Sequence, residues 1–311
     1  MWHLAVAVAP VAGLLVWSPW LDGKANVWVR EPIEYPGGWV PPGKTQCVDI
    51  CAGASPFPTC FTNKTDCIHK HQVSGDYDSL LLDQLFQPQF CRDLLAGVDP
   101  TVTHRPVASY PLGIRCKEPV LSRLLVHGLW PNYDGGYPAC CKSTRALRSR
   151  PFDPRGLITK YPTLTARMRE QWGDATQDSA LDMTCELWNH EFQKHGLCYA
   201  SADDGYEEAA AKYFSTTLAV ADRLHIATQH IDDMALSATP WLAVAAIQRL
   251  YDHRVEIRCT PVNGASFLAS IRSCWTGADS GITQVDCVAS TLDLCPENAT
   301  VSLAPYVAPH D

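Results

Sequence analysis

Fourteen cysteines stand between Cys47 and Cys295 of this 311-residue chain, and no other feature restricts its fold as strongly. Their number is even, and two sequons accompany them, Asn63-Lys64-Thr65 and Asn298-Ala299-Thr300. Paired thiols and asparagines open to glycosylation belong to an oxidising compartment, where bridges staple a fold together. The N-terminus agrees. Leu4 to Trp17 is an apolar run of signal-peptide length, and Gly23-Lys24-Ala25 puts small residues at the −3 and −1 positions of a cleavage site. No Lys or Arg precedes Lys24, but residues 1–25 otherwise read as a signal peptide. The run is short for a spanning helix and carries Pro10, so no stable membrane insertion is expected.

Past the leader, EPIEYPGGWVPPGK (31–44) is rich in Pro and Gly and reads as an extended linker. Cys47, Cys51, Cys60 and Cys67 come next, with almost no apolar periodicity around them. They read as a small loop-rich segment stapled by two disulfides, since a zinc site would call for paired CxxC knuckles. A packed domain begins near Tyr77. YDSLLLDQLF (77–86) and SRLLVHGLWP (122–131) have the apolar runs of buried strands, the second ended by Gly128 and Pro131, and HRVEIRC (253–259) alternates as a strand. The alanine-rich stretch 205–224 has a helical pattern, and Thr239-Pro240 reads as an N-cap and first position opening a helix over 241–251. Helices and strands mix without a βαβ rhythm, so the expected class is α+β. The chain thus divides into a leader, a linker and cysteine-rich segment (26–75), a main domain (76–296) and a tail (297–311). Its net charge of −8 excludes a protein that holds duplex nucleic acid by phosphate contacts alone. It does not exclude an enzyme that grips one or two phosphates.

WNHEFQKHGLC (188–198) gathers two histidines, a glutamate and a lysine within six positions. As an α-helix at ~100° per residue, it places His190, Lys194, Glu191 and His195 at about 0°, 40°, 100° and 140°, with Phe192 pointing away. Solvated helix faces are mixtures of Glu, Lys and Arg, and two histidines among four groups depart from that pattern. A zinc site of this kind needs histidines four apart, whereas the five-residue spacing swings the second ring ~140° around the axis. Lys194 adds a positive charge, and neither a metal nor any other cofactor is expected. What remains is charge and proton handling on an anion. Phosphodiester cleavage through a neighbouring hydroxyl needs a base on that hydroxyl and an acid on the leaving oxygen, on opposite sides of the phosphorus. One helix cannot supply both. His127, which alone would read as a core histidine, ends an apolar strand in VHGLWP and is the candidate for the second group.

VHGLWPNYDGGYPACC and WNHEFQKHGLC together resemble the two active-site segments of the T2 ribonuclease family, whose usual forms are HGLWP and WEHEWxKHGTC. The resemblance covers about Tyr77 to Cys295 and includes a strand ending in Cys upstream, FDP between the motifs, and IRC…SC…DC…LC downstream. It implies an α+β fold with a central, mainly antiparallel sheet flanked by helices and stabilised by disulfides. It also implies a metal-independent endoribonuclease that cleaves single-stranded RNA through a 2′,3′-cyclic phosphate to 3′-phosphate ends. On this resemblance His127 and His195 are the acid–base pair, with His195 as base on the 2′-OH and His127 as acid. His190 holds the phosphate, and Glu191 and Lys194 stabilise the pentacovalent state. Trp130 shapes a base pocket, with Asn132 and Tyr137 contributing edge and stacking contacts. Asn189, Phe192 and Leu197 replace the family's Glu, Trp and Thr, and Gln87-Pro88 stands where the family has Trp-Pro.

The resemblance further implies the pairs Cys91–Cys116, Cys259–Cys295 and Cys274–Cys287. Cys198 would bridge to Cys140 or Cys141, tying the histidine-bearing helix to the loop after His127, and Cys185 would take the other. The expected protein is a monomer, secreted or held in the lumen of an acidic endomembrane compartment. Two rivals stand beside this reading. One is a catalytically inactive secreted recognition protein on the same scaffold, against which all five polar positions are retained. The other is a secreted metallohydrolase, which would lose activity on chelation.

Overall fold

Two apolar runs of the sequence become adjacent strands at one side of a seven-stranded sheet. The computed structural model describes Cys47, residues 49–61, Asn63, residues 65–96, Cys116, and residues 119–142, 152–176, 184–201, 203–277, 281–288 and 294–308. The signal-peptide and linker readings lie outside these residues. The strands are β1 (Thr59–Cys60), β2 (Ser79–Phe86), β3 (Leu124–Asn132), β4 (Gly136–Tyr137), β5 (Trp241–Ala243), β6 (Glu256–Val262), β7 (Ala265–Thr276), β8 (Thr283–Val285) and β9 (Thr300–Ser302). The main sheet runs β3-β2-β7-β9-β5, with β6 and β8 also paired to β7. Every pairing in it is antiparallel except β7 with β9. β6 and β7 are joined by Asn263-Gly264, both at positive φ (50° and 82°), the conformation that a two-residue hairpin turn demands.

β3 does not end at Gly128 and Pro131 but continues to Asn132. It lies at the end of the strand order, where a proline without an N–H costs no ladder bond on its open side. The helix expected over 241–251 is also shorter, since Trp241–Ala243 pairs with Thr300–Ser302 and the helix runs only Val244–Gln248. Sheet pairing by a distant segment overrides the local helix signal there. The same pairing draws the start of the 297–311 stretch into the sheet. Just beyond it, the Arg92 guanidinium holds the chain by donating to the Ala304 and Pro305 carbonyls.

The helices are α1 (Gln87–Leu95), α2 (Pro154–Lys160), α3 (Pro162–Gln171), a composite helix over 184–199, α4 (Tyr206–Arg223), α5 (His225–Ala235) and α6 (Val244–Gln248). Asp153 starts α2 by accepting from the Arg155 and Gly156 N–H groups. Between the helices and the sheet lies an aromatic core centred on Phe214 of α4. The rings of Phe152, Trp172, Trp188 and Phe192 stand 5.5–6.4 Å from it. Burying each such side chain contributes ~1.5–3 kcal/mol, so this cluster fixes the composite helix against α4. No helix among the described residues is long and apolar enough to cross a membrane.

All fourteen cysteines pair. Cys91–Cys116, Cys259–Cys295 and Cys274–Cys287 bridge as the resemblance implied, and Cys198 takes Cys141. Two expectations are corrected. Cys185 bridges to Cys47, and Cys140 to Cys51. The cysteine-rich segment therefore keeps one internal staple, Cys60–Cys67, and its other two cysteines bind it to the main domain. Hydrogen bonds hold it there as well: Thr59–Cys60 pairs with Gly136–Tyr137, and Gln72 accepts from the Ala139 N–H through its side-chain oxygen and from the Lys142 N–H through its carbonyl.

Candidate active site

β2 and β3 keep register until His127. Asp83 faces Gly128 and Gln84 faces Val126, which leaves His127 as the extra residue of a β-bulge. Such a bulge bends the strand and re-aims one side chain. Its carbonyl is satisfied from the core, accepting from Trp172 Nε1 at 2.7 Å. The imidazole meets a carboxylate, with Nδ1 2.9 Å from Asp83 Oδ2. The other oxygen of Asp83 accepts from Arg272 Nε, also at 2.9 Å. Burial opposes ionisation of Asp83, but the Arg272 guanidinium and the His127 ring outweigh it and hold the carboxyl below its usual range.

The second half of the site rides on the 184–199 helix, whose winding departs from the expected one. Thr184–Trp188 and Phe192–Gly196 are π-helical, with ordinary turns at Asn189–Glu191 and Leu197–Tyr199. The bond to the residue five back widens the turn. Residues five apart then come side by side, and the His190 and His195 rings lie 6.2 Å apart. The angular argument against a metal therefore fails, because donor atoms of His190, Glu191 and His195 all lie within 4.8 Å of one another. The positive charge of Lys194 beside them still counts against a cation. Gly196 permits the packing, since a Cβ there would collide with Phe192 and Tyr213.

Trp130 joins the two halves. Its Nε1 donates to Glu191 Oε2 at 2.8 Å. The His195 ring stacks on it at 5.3 Å, the His127 ring meets it edge-on at 5.0 Å, and the Arg272 guanidinium lies over it at 5.3 Å. Gly128 is required beneath, because any Cβ would strike Glu191 Oε2 and the Trp130 indole nitrogen. His127 Nε2 and Glu191 Oε1 are 3.7 Å apart, too far for a direct hydrogen bond. A ligand oxygen between them would reach both. His127, His190 and His195 are 8%, 9% and 5% exposed, so these rings act in a site of low effective dielectric.

Burial sets the charge states. It pushes the Glu191 carboxyl up to about 7 against the pull of His127, Trp130 and Lys194. It pushes His195 well below its ordinary value, with Lys194, His190 and His127 adding to the effect. Below neutrality the helix thus offers a neutral carboxylic acid and a neutral imidazole. Two bridges clamp this arrangement, Cys141–Cys198 and Cys51–Cys140, and the Cys140 N–H donates to the Lys194 carbonyl at 2.8 Å.

Of the residues singled out in the sequence, His127, His190, Glu191, His195 and Trp130 come together, with Lys194 next to them on the helix. Trp130 does so as the packing centre of the cluster, its ring engaged by three cationic or imidazole groups. Asn132 lies further along β3 and donates to the Trp130 carbonyl at 3.2 Å. Tyr137 sits on the small β1–β4 sheet, its ring 6.1 Å from Phe61. Sequence reasoning missed Asp83 and Arg272. The signal was there: one carboxylate inside the apolar run LLLDQLF needs a buried partner.

Residues 77–287 match the model of the Ribonuclease T2 family. Ribonuclease 1 of Arabidopsis thaliana is 36% identical over 94 residues, covering 30% of this chain and 34% of that protein. Extracellular ribonuclease LE of Solanum lycopersicum is 27% identical over 138 residues, covering 44% of this chain and 49% of that protein. The chain thus spans about a third to a half of the length of these curated relatives. The crystal structure of Japanese pear S3-RNase shares the fold at a TM-score of 0.50, with 20% sequence identity over 74% of this chain and 100% of that one.

Proposed function

This chain belongs to the ribonuclease T2 family, and from that premise we propose that it is an endoribonuclease acting on single-stranded RNA without a metal ion. The observation that carries the reading is the meeting of His127 and His195, from two separate elements, around one tryptophan with Glu191 beside them. In the first step His195, neutral in its buried position, takes the proton of the 2′-OH as that oxygen attacks phosphorus. His127 protonates the departing 5′-oxygen as the P–O5′ bond breaks, leaving a 2′,3′-cyclic phosphate. In the second step the roles reverse: His127 takes a proton from water as the water oxygen bonds to phosphorus, the P–O2′ bond breaks, and His195 returns a proton to the 2′-oxygen, giving a 3′-phosphate. His190 and Lys194 neutralise the phosphate, and Glu191 in its neutral form donates a hydrogen bond to a phosphoryl oxygen rather than repelling it. Single strands suit the site because their backbone can adopt the in-line geometry and splay a base outward. Asn132 and Tyr137, with Trp130, are proposed to receive that base.

The test is cleavage of single-stranded RNA in excess EDTA, with the cyclic intermediate resolved by chromatography and DNA of the same sequence left intact. Activity that vanishes with chelator and returns with zinc would overturn this mechanism and favour a metallohydrolase built on His190, Glu191 and His195. Folded protein without RNA cleavage under any condition would favour the inactive recognition protein. Complete pairing of the cysteines supports a secreted or lumenal location, and Asn63 and Asn298 are both exposed as glycosylation would require. A signal peptide at 1–25 and a monomeric state complete the proposal.

A further inference from the structure

Asp83 is 1% exposed in the middle of a strand whose neighbours are Leu80, Leu82, Leu85 and Phe86. An apolar side chain would suit that place better, since a buried carboxylate is costly unless every lone pair finds a partner. Here both oxygens do, one on Arg272 Nε and one on His127 Nδ1. The register arranges this. Gly128, Asp83, Arg272 and Glu256 form one lateral row across β3, β2, β7 and β6, and the bulge at His127 sets its ring beside that row.

We propose that Asp83, anchored by Arg272, is a positioning residue that fixes the ring orientation and tautomer of His127. An ionised carboxylate can only accept, so Nδ1 must carry the proton and Nε2 is left on the side of Glu191 and the cleft. Arg272 makes the arrangement directional, because its N–H occupies the second oxygen and prevents the carboxylate from turning. The groups around the His127 ring are Asp83 from the sheet, with Arg272 behind it, Trp130 from its own strand, and Glu191 and His195 from the helix. Of these, Asp83 alone accepts a hydrogen bond from Nδ1 among the described residues. The inference rests on the acid–base role proposed for His127.

Two variants of the full disulfide-bonded chain test it, read by long-range ¹H–¹⁵N NMR of the His127 ring and by steady-state kinetics on a dinucleoside phosphate. In Asp83→Asn the amide oxygen turns to Arg272, which presents the NH2 group to Nδ1 and moves the ring proton to Nε2. The expected result is the Nε2–H signature with kcat lower by at least ~10²-fold and KM within about threefold. In the double variant Asp83→Val, Arg272→Met the ion pair is replaced by apolar side chains, which a fold tolerates or welcomes. It should stay folded by near-ultraviolet circular dichroism and keep the low kcat. Two outcomes would overturn the proposal: an unchanged Nδ1–H signature in Asp83→Asn, or recovery of wild-type kcat in the double variant, which would make the pair purely structural. The ring signature is read without turnover, so a wild-type protein that fails to cleave RNA refutes the proposed ribonuclease activity while leaving the Asp83 result to be judged alone.

Discussion

Glu191 shows how far one side chain's surroundings change its chemistry. Its exposed counterpart would be anionic and would repel a phosphate, yet burial lifts its carboxyl from 4.5 to about 7. Between those pH values the folded protein holds a proton that the unfolded chain has released. The group's contribution to stability therefore falls as pH rises from 4.5 through 7, by on the order of 3 kcal/mol. A glutamine does not titrate, so Glu191→Gln should gain stability on the wild type over that window. Urea denaturation at pH 4.5 and 7.5 measures it, and parallel behaviour of the two proteins would contradict the assigned shift. The histidines make a plainer prediction. His127→Ala or His195→Ala should lower turnover at least ~10²-fold, the low end for general acid–base catalysis. A near-wild-type rate in either would show that the pair is misplaced. These residues were legible in the sequence because their types are rare in such company. Asp83 was legible only as an anomaly, since its partners lie 44 and 189 positions away.

At the level of elements, the 184–199 helix and β3 must hold the two halves of the site at a fixed separation, and Cys141–Cys198 ties the helix to the loop that follows β3 and β4. A lost disulfide typically costs ~2–5 kcal/mol, which six remaining bridges and the Phe214 cluster can absorb. A displacement of ~1 Å between acid and base, however, can cost on the order of 10²-fold in rate. The double variant Cys141→Ala, Cys198→Ala should therefore fold at low temperature but turn over far more slowly than its folded fraction accounts for. Turnover per folded molecule, with folding followed by near-ultraviolet circular dichroism, decides the matter. A value equal to wild type would make the bridge a stabiliser only. The helix was legible from its lack of breakers before Gly196, but its π turns were not. The second of them lies where Phe192 and Gly196 pack against α4, a contact that no local pattern encodes.

For the whole molecule, the proposed mechanism places opposed charge requirements on the site, and these would set its working pH. His195 must be neutral, and burial with the positive groups around it pushes its titration well below 6.5. Glu191 must be protonated, which it loses at about 7. The kcat/KM profile should then be bell-shaped with its optimum on the acid side of neutral, the acid limb reporting the base and the alkaline limb including Glu191. A rate climbing steadily to pH 9 would contradict this, as would Glu191→Gln leaving the alkaline limb in place. The cysteine-rich segment also belongs to this scale. It is joined to the main domain through Cys47–Cys185 and Cys51–Cys140, whose partners lie 138 and 89 positions apart.

The sequence by itself determined the α+β class, the buried strand cores in 77–86 and 122–131, the helix within 205–224 and the pairing of the cysteines, and it named His127, His190, Glu191, Lys194 and His195 as candidate groups of the site. Those properties come from residue type and short-range periodicity, which reach no further than a few positions. The tertiary structure decided the bulge that aims His127, the wide turns that bring His190 and His195 together, the placement of Trp130 at their centre and the partners of Asp83. It also decided that Cys47 and Cys51 reach across to the main domain. Each of these depends on which distant strand or helix packs alongside, and side-chain chemistry names the groups that need a partner without saying which partner will arrive.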